Sequence, residues 1–254
     1  DDGSVILSDS ESNDAIYTIP APTATDADGN HAPNGKVYYS LTDMGNHKYS
    51  LTVTADADWM NHADRAFPVT IDPPVCVASA SNMIDTYIDS GSPNSSYGSS
   101  AYLYAGKHTN TSGNEYISYW KVTSLPTLPA KATIVSSTLS LYCEDFYTQY
   151  DSSINVGLYE ATSTFSETST WNTLSPATGT PDSSLLIDYA KVTSLDEYER
   201  ISWDITQLSR KWHKNANQNK GIYLRGVNAS RARAVFASRE SNQNAPLYEV
   251  NYRI

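Results

Sequence analysis

The sequence predicts an all-β protein, an antiparallel jelly-roll β-sandwich preceded by a small β domain, and three observations carry this expectation. Short runs of alternating apolar and polar residues recur along the 254-residue chain, bounded by Gly, Pro, Asn, Asp and Ser. Helical spacing of apolar residues is nearly absent. Tyrosine is abundant, 19 against 4 phenylalanines, and a ring with a hydroxyl tip suits a strand with one wet face.

The elements follow in order. In the first region VILS, AIYTIP, KVYYSLT, YSLTVTA and FPVTI read as strands, separated by turns such as TDADGNHAPNG and DMGNH. This small β unit ends near Ile71. In IDPPV two prolines then fix an extended backbone and withhold two donors from any ladder, which places a domain boundary there and gives domains 1–74 and 75–254. The second region holds longer strands: MIDTYI, AYLYAG, YISYWKV, TIVSSTLSLYC, INVGLYEA, RISWDI, GIYLRG, AVFASRE and LYEVNYRI. Their alternation suits two packed sheets. One segment departs from it: Ile205, Leu208 and Trp212 follow helical spacing after Asp204, so a short helix is expected at one end of the sandwich.

Acidic residues outnumber basic ones 28 to 17, and a formal charge of -11 repels nucleic acid and anionic lipid, so neither is an expected partner. No apolar run is long enough for membrane insertion. The opening DDGSVILSDS lacks the basic and apolar regions of a secretion signal, so the chain reads as a piece of a longer polypeptide whose flanking domains are partners. Cys76 and Cys143 make no disulfide framework. Cys143 continues the alternation of Leu139 and Leu141 and reads as a small inward hydrophobe, while a single bridge to Cys76 stays open.

Five segments of the second region resemble the DNRLRE-type domains, also classed as carbohydrate-binding module family ninety-six. They are DTYIDSGSPNSSYGSSAYLYAG, YISYWKVTSLPTLPAKATIVSSTLSLYC, VGLYEATSTFSETSTWN, SWDITQLSRKWHKNANQNKGIYLRG and FASRESNQNAPLYEVNY, in that order, covering nearly all of 80–254. The first region, with YSLTVTADADWMNHADRAFPVTIDP, is similar to the β-rich segment that precedes such domains in wall-associated and RHS-repeat proteins of Gram-positive bacteria. The resemblance implies an accessory jelly roll displayed at the cell surface or secreted, with no reaction of its own.

The residues themselves offer little catalytic chemistry. His31, His47, His62, His108 and His213 are scattered without zinc-ligand spacing, and no G-x-S-x-G elbow occurs. Asp85, Asp89, Glu144, Asp145, Glu160 and Glu167 could pair as in a glycosidase, but any acidic β protein offers such pairs. Asp26, Asp28 and Asn30 open like a calcium loop, yet the twelfth position is Val37, so a turn is the better account. Asp85, with Asp89, is a candidate for a structural calcium, the one cofactor considered; none is required. Arg239 and Glu240 read as a paired structural set, with Arg225 or Asp204 as candidate partners.

Sugar binding needs exposed aromatic faces flanked by polar groups. Phe146, Tyr147 and Tyr150, with Gln149 beside them, fall in an expected loop and supply this combination. Trp120 is either an inter-sheet filler or a stacking platform, and Trp171 either covers the sandwich end or contacts ligand. The expected function is therefore a non-catalytic module that binds a polysaccharide of host, plant or cell wall and so mediates adhesion. The rival reading is a spacer or shell segment of an RHS-type protein with no glycan ligand.

Overall fold

A computed structural model describes residues 3–8, 15–19, 21–45, 48–72, 75–77, 80–108, 113–128, 132–149, 151–174, 182–227, 231–241 and 244–253. The protein is all-β, and its chain divides into two compact units. The first takes residues 1–76 with 127–135 and 250–254, and the second takes 77–126 and 136–249.

In the first unit the strands are β1 (Val5–Ser8), β2 (Ala15–Ile19), β3 (Thr23–Thr25), β4 (Val37–Gly45), β5 (Lys48–Ala55), β6 (Thr70–Asp72) and β7 (Val75–Val77). Six of them pair as antiparallel ribbons: β1 with β2, β3 with β6, β4 with β5. The strand expected at FPVTI starts only at Thr70, after a cis bond between Phe67 and Pro68. A short helix, α1 (Ala57–Met60), follows Asp56, whose carboxylate accepts from the Trp59 amide at 2.9 Å. It places Trp59 in a small core with Ala24 and Val37.

The TDADGN turn closes on Asp26, which accepts from the Asp28 and Asn30 amides and pairs with Arg65 at 2.7 Å. Burial pushes the Asp26 carboxyl up, but the Asn30 and Arg65 bonds more than offset this and hold it well below the usual carboxylate range. Arg65 in turn lies 3.9 Å over the Trp59 ring.

The second unit holds β8 (Met83–Asp89), β9 (Tyr102–Lys107), β10 (Glu115–Val122), β11 (Thr133–Thr148) from residue 136, β12 (Ile154–Glu160), β13 (Leu186–Val192), β14 (Arg200–Asp204), β15 (Ile222–Val227), β16 (Ala232–Ala237) and β17 (Leu247–Arg253) as far as residue 249. Two helices accompany them, α2 (Trp171–Leu174) and α3 (Thr206–Lys214). The strands form a curled antiparallel sheet in the order β13-β12-β15-β10-β9-β16-β11-β17, with β8 on the free side of β10 and β14 on β11. The curl closes the sandwich over an inner layer of Trp120, Leu139, Leu141, Leu158, Trp203, Leu224 and Phe236, all fully buried. The indole of Trp203 donates to the Val156 carbonyl at 3.1 Å, so its one polar atom is satisfied in the interior.

The corner of the curl lies where β10 takes two partners on one side. Gly106 of β9 pairs with Tyr116, and β15 pairs from Ile117 onward. Gly106 has φ +127°, and a Cβ there would meet the Ala232 carbonyl at 2.3 Å. Gly226 of β15 lies against it, since a Cβ on Gly226 would fall 2.6 Å from the Gly106 Cα. Only glycine lets the two backbones meet.

β11 turns a second corner. Its first part pairs with β14 (Thr138↔Asp204 to Tyr142↔Arg200) and its last part with β16 (Cys143↔Phe236 to Thr148↔Ala232). A bulge between Cys143 and Asp145 marks the change of partner. The loop expected at EDFYTQY is therefore strand as far as Thr148. Strand β13, LIDYAKV, has no counterpart in the sequence reading, because both its faces are partly exposed and no clean alternation results.

The expected helix is α3. Its opening Thr206 amide donates to Asp204, and Leu208, Ser209 and Trp212 are buried. A chain of hydroxyls pins it: Tyr248 donates to Ser209, Ser209 to Ser137, and Ser137 to the Glu249 carbonyl, each bond within 2.9 Å. Cys143 carries a free, buried thiol that burial pushes up to about 12, and the side chain of Cys76, to which the sequence left a bridge open, lies outside the described residues.

Candidate functional site

The bulge at Cys143 decides which aromatic side chains of EDFYTQY reach the surface. Strict alternation would turn Tyr147 inward with Cys143, but the extra residue shifts the phase. Phe146 is buried at 7% exposure, and Tyr147 stands out at 44%. Phe146 is thus a core residue and not a ligand contact. Gln149 is exposed but occupied, accepting from Arg231 at 2.8 Å. Tyr150 lies outside the described residues.

Tyr147 pairs across the ladder with Arg233 of β16, and around that arginine the fold gathers tyrosines from β8, β9, β10 and the loop between β8 and β9. The Arg233 guanidinium lies 4.7 Å from the Tyr147 ring and 5.4 Å from each of the Tyr104 and Tyr116 rings. Tyr104 and Tyr116 are 5.5 Å apart, Tyr87 meets Tyr104 edge-on at 4.8 Å, and Tyr97 stacks on Tyr87 at 4.2 Å. The five rings form one continuous half-exposed aromatic surface. Among the described residues Arg233 forms no ion pair, and its Nε is covered without a hydrogen-bond acceptor. Among the described residues its charge is met by ring faces.

Burial pushes the phenols of Tyr87, Tyr104 and Tyr116 up, and at Tyr104 the Arg233 charge partly opposes the shift. The Tyr147 hydroxyl is raised chiefly by its bond to Asp145. All four therefore remain hydroxyl donors at neutral pH. The arrangement can stack the apolar face of a ring and donate hydrogen bonds at its edge. Of its members the sequence reading singled out Tyr147. Arg233, Tyr87, Tyr97, Tyr104 and Tyr116 were missed, and the excess of tyrosine over phenylalanine was the signal that could have found them.

The other expected residues lie elsewhere. Trp120 is fully buried and packs 6.1 Å from Tyr248, which makes it an inter-sheet filler with no face for a sugar. Trp171, half-buried in α2, packs on the cluster of Ile88, Ile117, Tyr119 and Phe165. Asp85 and Asp89 point to the same side of β8 but are four residues apart, ~13 Å along a strand, so they cannot share one ion. Asp89 accepts from the Gly91 amide at 2.7 Å to close a turn. Asp85 is buried, accepts from the Arg239 amide at 2.8 Å, and bonds the Glu240 side chain. Burial, with the Glu240 charge and against the Arg239 bond, pushes Asp85 up to about 8. Arg239 pairs with Glu167 at 2.6 Å and Glu240 at 2.8 Å, while Arg225, one of the two partners expected for the Arg239 and Glu240 set, is held by Glu115. Among the described residues no group of three His, Cys, Asp or Glu side chains is arranged to hold a metal.

The match to known proteins covers this same unit. The model of carbohydrate-binding module family 96 matches residues 77–252. The chain belongs to that family. Every member of the aromatic surface lies within the family 96 match, as does the lock formed by Asp85, Glu167, Arg239 and Glu240. The chain is also 28% identical over 271 residues to the tRNA nuclease WapA of Bacillus subtilis (strain 168). It is similarly 27% identical to the tRNA3(Ser)-specific nuclease WapA of Bacillus spizizenii. Each alignment covers all of this chain and 11% of the relative, so the family 96 module with its first unit spans about a tenth of those proteins.

Proposed function

We propose that this family 96 module binds a polysaccharide without cleaving it, through the tyrosine surface around Arg233. The observation that carries this reading is a guanidinium laid over three tyrosine rings with no carboxylate partner among the described residues. Amphipathic rings that can stack on a pyranose, with neutral hydroxyl donors at their edges, are what sugar recognition requires. The module then works outside the cell, as an attachment device within a longer surface protein of the DNRLRE and RHS-repeat type. The relatives' names assign nuclease activity to proteins of which this chain matches 11%. In our reading that chemistry resides elsewhere in them.

A glycan array probed with the whole chain, with and without calcium, tests the proposal. Retention on at least one polysaccharide, abolished by Arg233→Ala combined with Tyr147→Ala, is expected. Retention unchanged in that variant, or release of shortened products from the bound glycan, would defeat it. The architectural reading has one observation in its favour. Leu41, Met44 and Tyr49 on the β4–β5 ribbon are 57%, 66% and 61% exposed, an apolar surface suited to packing against neighbouring protein.

A further inference from the structure

Across β10, β15, β12 and β13 runs a row of register partners on one face of the sheet: Ile117, Arg225, Gly157 and Tyr189. The next row on that face holds Tyr119, Tyr223, Tyr159 and Leu186. Tyr159 stacks on Tyr223 at 4.9 Å and 9°, and leans back over Gly157, where a Cβ would fall 2.6 Å from its ring. Gly157 thus makes room for the Tyr159 ring, and beside that ring lies a hollow of about 310 Å³, lined by Asn155, Gly157, Tyr159, Leu186, Tyr189 and Val227. That is the lower end of ligand-pocket volumes and suits a single ring. None of these residues belongs to the Arg233 surface.

We infer that this hollow is a second binding site, for one neutral hexopyranose residue. Tyr189, 61% exposed, supplies a free ring to stack on, and Leu186 and Val227 supply the apolar wall. The Asn155 side-chain amide, without a hydrogen-bond partner among the described residues, offers both a donor and an acceptor to sugar hydroxyls. Arg225, the register partner of Gly157, does not call for an anion. Its Nε and one terminal nitrogen grip both Glu115 oxygens, at 2.6 and 3.1 Å, so its charge is already balanced. Its remaining nitrogen, Nη1, is buried without an acceptor among the described residues and takes no part in the hollow's lining. The ligand is thus uncharged, ring-shaped and rich in hydroxyls.

The test is an amide-shift titration of the isotopically labelled whole chain with methyl β-glucopyranoside and with N-acetylglucosamine, on the order of tens of millimolar. Saturable shifts of the Gly157, Leu186 and Tyr189 amides are expected with at least one sugar. Tyr189→Ala should weaken them roughly tenfold, the upper end of what one lost stacking contact gives. Asn155→Ala should weaken them as well. They should persist in the Arg233→Ala, Tyr147→Ala variant, which separates this site from the one proposed above. No saturable shift with either sugar, or shifts indifferent to Tyr189→Ala and Asn155→Ala, overturns the inference.

Discussion

Arg233 on β16 and Tyr147 on β11 are register partners, and the guanidinium of the first lies 4.7 Å from the ring of the second. Ladder pairing brings the cation to the ring, and the ring's exposure leaves the pair open to a ligand. Arg233→Ala should weaken polysaccharide retention roughly fivefold to tenfold, the range of one lost cation–π contact at a half-exposed site. Arg233→Lys should recover only part of it, because an ammonium cannot lie flat on three rings. Affinity electrophoresis on the bound polysaccharide reads both, and equal mobility of all three proteins would rule the contact out.

Trp120→Ala should act on stability and not selectively on binding. The side chain is fully buried between the sheets, and truncating a buried tryptophan costs ~3–5 kcal/mol. Urea unfolding should show a lowered midpoint. A variant that melts like the parent but releases glycan would return Trp120 to the list of ligand contacts.

Asp85 makes stability fall with rising pH. Its folded value of about 8 lies above the ~3.9 of an exposed aspartate, so the folded chain holds this proton more tightly than the unfolded one. The stabilisation is complete below ~pH 4 and is lost as pH climbs through about 8. Asp85→Asn keeps an acceptor for the Arg239 amide and a donor for Glu240, without the titration. The variant should be flatter across this window and more stable at ~pH 9, by on the order of 1–2 kcal/mol. Parallel melting curves from pH 4 to 9 decide, and identical pH profiles would remove Asp85 as the source.

Gly106→Ala should disrupt the corner. The new Cβ would sit 2.3 Å from the Ala232 carbonyl at φ +127°, so both backbone strain and a backbone clash oppose it. A loss above ~2 kcal/mol is expected. Unchanged chemical unfolding would mean that the two strands can separate there at no cost.

The Cys143 thiol should resist alkylation in the native protein. It is fully buried and pushed up to about 12, so almost no thiolate exists near neutral pH. Peptide mapping after iodoacetamide treatment should find it modified only once denaturant is present.

Particular residues show what could be read from the chain alone. Leu139, Leu141 and Cys143 alternate and do face inward, and Ile205, Leu208 and Trp212 keep helical spacing along α3. Local periodicity was enough for these. It failed at Asp145, because a one-residue bulge leaves no mark in an alternating pattern, yet it exchanges the faces of Phe146 and Tyr147. It failed for Arg233 for a different reason. Nothing near position 233 hints at Tyr104 or Tyr116, which reach it only through the strand order β10-β9-β16. The Arg239 pairings were similarly hidden, because Glu167 lies on a loop remote in sequence.

Where Gly106 and Gly226 touch, no side chain cushions the joint, and Tyr104 and Tyr116 are mounted immediately beside it. These two rings are therefore held like tiles on a common slab. If the proposed site is right, a sugar must match their spacing as it finds it, since neither strand can yield without parting the backbones. On that same reading, adaptation to a new glycan falls to the rim, at Tyr97 and Tyr147, which stand away from this joint.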